Sequence, residues 1–148
     1  MAYTSAQIVQ AVPTGVGVLQ VVTATYATAT TTTSASYVTT GLTASITPKS
    51  TTSRVLILTM QAANGNPTDE TCFTIFRGTV ADTNLGVAAG MGTLLNTYET
   101  VSLSFLDSPS TTSAQAYTVG FKNLSGAGTS RVQTGNRTAS ITLIEISA

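Results

Sequence analysis

Few residues in this 148-residue chain could do chemistry, and their spacing suits no recognisable reaction. There is no His, so no Ser–His–Asp or Cys–His arrangement can form and no imidazole base is at hand. Cys72 is the single cysteine, which excludes an internal disulfide and, without His, a four-ligand zinc site. It shares a strand face with Thr74 and Phe76 and reads as a small buried hydrophobe. Of the six carboxylates, Asp69 and Glu70 are adjacent and would point to opposite faces of a strand. Asp82-Thr83-Asn84 begins like a calcium loop, but Gly86 stands at the next ligand position and no bidentate Glu closes it. A glycosidase needs two carboxyls facing each other across a cleft, and no spacing selects Asp82, Glu99 or Asp107 for that task. Gly15 and Gly17 precede a strand-like run instead of following one, with Gln20 where a third dinucleotide-binding glycine would stand. Tyr26, Tyr37 and Tyr98 fall at strand or loop ends, where a ring can stack on a sugar or cover the edge of the core. Phe73, Phe76, Phe105 and Phe121 read as core. No catalytic residue, cofactor site or metal ligand is assigned, and the chain reads as no enzyme.

Composition sharpens this. Charged residues make up 8% of the chain, six cations against six anions, where about a quarter is usual. None occurs before Lys49. Six scattered cations form no basic stripe, which argues against nucleic acid as a partner. The mean hydropathy of +0.27 raises the question of a membrane. Apolar runs no longer than Val55–Leu58 fall far short of the roughly 20 residues a spanning helix needs. The N-terminus shows neither the basic nor the apolar region of a signal peptide. With 31 Thr and 15 Ser, hydroxyl side chains take 46 of 148 positions. Zero net charge removes the repulsion that keeps most proteins apart, so the surface favours association.

The elements that must position these residues are strands. Residues 1–16 have weak pattern and read as an extended arm, with Ile8, Val9, Val12 and Pro13 as candidate partner-binding residues. Residues 17–148 read as one domain. Gly17–Tyr26 is the first strand, Thr28–Ser36 a loop or solvated edge, and Tyr37–Thr47 a strand with Leu42, Ala44 and Ile46 on one face. Arg54–Ala62 carries apolar residues on both faces, as a strand covered on both sides would. Asn64-Gly65 predicts a hairpin returning through Thr71–Arg77. The glycine-rich stretch after Gly78 predicts a long loop with a short strand near Leu94 and Leu95. Glu99–Leu106, Gln115–Leu124 and Ala139–Ile146 close the chain; the last is apolar on both faces and suits a central position or a subunit contact. Seven or eight strands without helical crossovers predict an all-β antiparallel β-sandwich of jelly-roll type. An immunoglobulin-like Greek key is the second choice and lacks its Cys–Trp–Cys signature, since there is no Trp.

The stretch VLQVVTATYATATTTTSASYVTTGLTASITPKSTTSRVLIL (Val18–Leu58) resembles a Thr/Ser-rich all-β module of tailed-bacteriophage virion proteins. SLSFLDSPSTTSAQAYTVGFKN (Ser102–Asn123) and ITLIEISA (Ile141–Ala148) resemble later parts of that module. The resemblance implies a trimeric virion component assembled in the host cytoplasm, and it brings no catalytic residues. Two functions fit. One is a capsid decoration, or cement, protein bound to the shell as a homotrimer, with the major capsid protein as partner. The other is a receptor- or glycan-binding head of a tail or capsid fibre, with a host-surface glycan as partner. Residues 1–16 are short for a fibre shaft, which favours decoration. In the decoration reading the doubly apolar strands supply the trimer surface, the arm adds a strand to a neighbour or grips a capsid protein, and the uncharged N-terminal third holds the best candidates for contacts.

Overall fold

The computed structural model describes residues 17–64, 70–86, 89–91 and 98–147. The arm, with Ile8, Val9, Val12 and Pro13, lies outside the described residues, as do Leu94 and Leu95. The strands are β1 (Val18–Tyr26), β2 (Thr30–Thr32), β3 (Val38–Ile46), β4 (Arg54–Asn64), β5 (Thr71–Arg77), β6 (Thr83–Asn84), β7 (Ala89–Met91), β8 (Tyr98–Asp107), β9 (Gln115–Asn123), β10 (Ser130–Val132) and β11 (Ala139–Ile146). Seven of these are long and match the strands read from the sequence. The other four have two or three residues each. Among them, β2 is the solvated edge read at Thr28–Ser36.

Two antiparallel sheets pack face to face as a β-sandwich. In the first sheet β1, β11, β4 and β8 lie side by side, and β10 then β2 continue beside β4 where β11 ends. The second runs β3–β9–β5, with β6 and β7 sharing the far edge of β5. Period-two alternation sends one face of each long strand inward. Leu42, Ala44 and Ile46 of β3, Tyr117, Val119 and Phe121 of β9, and Phe73 and Ile75 of β5 meet Val55, Ile57, Leu103, Ile141 and Leu143 across the core. Phe73 and Phe121 stack with ring centroids 6.2 Å apart.

The hairpin read at Asn64-Gly65 is not formed. β4 pairs with β8, β10 and β11, whereas β5 pairs with β6, β7 and β9 in the opposite sheet. The reason is burial. Placed in opposite sheets, β4 and β5 turn their inward faces into one shared core, and each large apolar side chain removed from water contributes about 1.5–3 kcal/mol. Adjacent strands of one sheet would leave those faces side by side.

Two polar clusters tie the layers together. At the end of β8, Asp107 accepts hydrogen bonds from Arg77 Nε at 2.8 Å and Tyr117 Oη at 2.7 Å, and forms an ion pair with the Arg77 guanidinium. At the corner where β1 begins and β11 ends, the buried Glu145 carboxylate accepts from Gln20 Nε2 at 2.6 Å and the Lys49 amide at 2.7 Å. Gly17 N–H donates to Ser147 Oγ at 2.8 Å, which fixes the start of β1 beside the end of β11.

Candidate interaction face

The groups considered for catalysis are occupied or apart. Asp107 is held by Arg77 and Tyr117. Hydrogen bonds from the Thr79 amide and hydroxyl hold the Asp82 carboxyl below its ordinary pKa. Asn84 Oδ1 accepts from Thr74 Oγ1 at 2.8 Å and the Gly86 amide at 2.9 Å. Asp82 Oδ2 and Asn84 Oδ1 therefore serve local structure, which gives those two positions of the calcium-like spacing a structural use. Glu99 and Glu70 are exposed, and Asp69 lies outside the described residues. Cys72 is half-buried, not fully buried, because it lies on the outer face of β5. Among the described residues, no group of three or more Cys, Asp or Glu could hold a metal ion.

Of the tyrosines, Tyr26 packs against the core and over Gly41, whose φ of +85° and closeness to the ring leave no room for a side chain. Tyr37 packs edge-on against Phe76 at 5.6 Å, with Lys122 Nζ 5.1 Å from its ring centre. Phe76 is buried but on the outer side of the second sheet, against Gly120, where a Cβ would lie 2.6 Å from the ring. Phe105 is partly buried, while Phe73 and Phe121 are core. Tyr98 is exposed, but the Arg137 guanidinium covers its ring at 3.7 Å. A hollow of about 190 Å³ on the second sheet is lined by Thr39, Thr43, Thr79, Val80 and Thr118. All four threonine hydroxyls bond within the protein, so the hollow presents methyl groups.

The outer face of the first sheet is different. The registers set its outward side chains in rows across β1, β11, β4 and β8. One row is Val21, Ile144, Leu56 and Leu106: four aliphatic residues across four strands. The next is Thr23, Thr142, Leu58 and Ser104, and below it Thr25, Ser140, Met60 and Ser102. Above the aliphatic row, Val18 and Ile146 pair beside Arg54, the only charge in these rows. Val18 is 62% exposed, Val21 56%, Met60 47%, Leu106 41% and Leu58 40%, so these rows hold five of the seven exposed large hydrophobic residues among the described ones. Isolated exposed apolar residues are ordinary, but a contiguous patch marks an interaction surface.

This corrects the reading of Arg54–Ala62 as covered on both sides: its outer residues Leu58 and Met60 are exposed in the single chain. The central position read for Ala139–Ile146 holds, since β11 lies between β1 and β4. Of the strands in the uncharged third, β1 borders the face and β3 belongs to the other sheet. Val21, Leu106 and Met60 were not singled out from sequence. The available signal was apolar residues at both parities: Leu106 directly after Phe105, and Met60 in phase with Leu56 and Leu58. No known family model matches this chain, and no curated protein matches it.

Proposed function

We propose that the protein is a non-enzymatic structural component of a bacteriophage virion, a capsid decoration protein bound to the shell as a homotrimer. The observation that carries this reading is the largely apolar outer face of β1, β11, β4 and β8, with its aliphatic row Val21–Ile144–Leu56–Leu106 and Arg54 as the single charge in its rows. Trimer formation covers that face. The arm, through Ile8, Val9, Val12 and Pro13, engages the major capsid protein, and the resemblance of Val18–Leu58 to phage virion modules supports the setting. A segment of 16 residues reaches roughly 50 Å when extended, enough to leave the trimer and lie along a neighbouring protein. The receptor-binding alternative is less favoured, because Tyr26 and Tyr37 are packed and Arg137 covers Tyr98.

Deleting residues 2–14 tests the division of labour. The variant is expected to keep the mass of the intact oligomer and to be missing from purified particles. Undiminished incorporation would refute the arm's role.

A further inference from the structure

We propose that the trimer forms by edge-to-edge pairing of β8 of one copy with β1 of the next, which continues the first sheet into a closed ring with its apolar face inward. The inference rests on the trimeric reading above and supplies its contact strands and register. Among the described residues, β8 forms a ladder only with β4 and β1 only with β11, so both strands are outer edges of this sheet; on β1 the Leu19 carbonyl accepts from Lys49 Nζ at 3.1 Å, outside the stretch Val21–Tyr26. Such edges are normally blunted by charge, proline or a bulge. From Thr100 to Leu106 β8 has no charge, no proline and no register shift against β4. β1 is uncharged, and its single register shift lies between Val18 and Gln20, outside the stretch Val21–Tyr26. The occupant such an edge demands is an extended strand of matching length and polarity.

A second copy supplies one. The strands β1, β11, β4 and β8 alternate in direction, so the next copy's β1 beside β8 is again antiparallel. Continuing the rows fixes the register. Leu106 meets Val21, Phe105 meets Val22, Ser104 meets Thr23, Leu103 meets Ala24, Ser102 meets Thr25 and Val101 meets Tyr26. Every pair sets apolar against apolar or hydroxyl against hydroxyl, which is what stabilises cross-strand neighbours. The two edges differ, so the contact is head-to-tail and must close into a ring or grow without limit.

Sheet dimensions select three copies. Four strands about 4.8 Å apart make a side about 19 Å wide, and a triangle of such sides places each sheet about 5.5 Å from the axis, close to half the ~10 Å spacing of packed sheets. Four copies would stand about 9.6 Å from the axis and leave an open channel around apolar side chains. In the triangular ring the aliphatic rows meet at the centre, and Arg54 stays at the mouth.

The test combines mass with register. In a Cys72→Ser background, Thr23→Cys with Ser104→Cys and a short bis-maleimide linker is expected to give a covalent trimer, whereas either cysteine alone gives none. Thr23→Lys with Ser104→Lys is expected to abolish the trimer, and Thr23→Glu with Ser104→Lys to restore it. Both side chains are exposed in the single chain, so folding is not at stake. Three times the 15.1 kDa chain mass with no cross-link and a harmless double lysine would overturn the edge pairing and leave the trimer standing. A 15.1 kDa species at all concentrations, and in particles, would overturn both.

Discussion

At the scale of single residues, the protein's carboxylates work as fasteners. Burial, then the hydrogen bond to Asp107, pushes the Tyr117 phenol well above its ordinary pKa, and the same carboxylate raises that of Arg77. Asp107→Ala would leave the guanidinium and phenol unpaired. We expect a loss of about 3 kcal/mol in denaturant unfolding, the low end for a broken buried pair, because Arg77 keeps 28% of its side chain in water. A loss under about 0.5 kcal/mol would mean that the sheets are held without this cluster. Glu145 shows the opposite balance. Burial alone would raise its pKa, but hydrogen bonds from Gln20 and the Lys49 amide, with the Lys49 charge, hold it below its ordinary value. Its folded value is lower than its unfolded one, so its contribution is present above pH 4.5 and is lost as pH falls through the folded value. Melting temperatures measured across that acid range should fall less steeply for Glu145→Gln than for the parent; parallel curves would contradict the assignment. Gln61 and Gln133 are less well served. Both are fully buried, and their amides meet no partner among the described residues, at a cost of about 1–3 kcal/mol each.

At the scale of elements, strand identity was legible in the sequence because alternation reports burial directly. Leu42, Ala44 and Ile46, and likewise Tyr117, Val119 and Phe121, fall inward as their spacing requires. Pairing was not legible. Asn64-Gly65 carries a strong local turn signal, yet β4 and β5 occupy opposite sheets, and their partners are set by contacts far along the chain. The interaction face was legible only in part. β4 and β11 showed apolar residues at both parities, but the row from Val21 to Leu106 exists only after four distant strands are set in register. Leu58→Glu tests what that row is for. Leu58 is 40% exposed, so the single chain should unfold within about 0.5 kcal/mol of the parent while the oligomer is lost. A folded variant that still assembles would show that the face is not covered by assembly.

At the scale of the whole molecule, low charge and β architecture combine into one property. With six cations, six anions and a largely apolar face bounded by two strands that each form one ladder among the described residues, the single chain presents a surface suited to association. Its buried carboxylates serve cohesion, and in the proposed trimer its exposed aliphatic rows meet those of other copies. A decoration protein needs these properties, since it must cover a repetitive shell and resist its loss without turning anything over. The most direct measurement of this claim is the number of copies in purified virions, counted against the major capsid protein on a quantitative gel. A multiple of three that matches the repeated sites of the shell is the expected result. A handful of copies, as at a tail tip, or none at all, would contradict it.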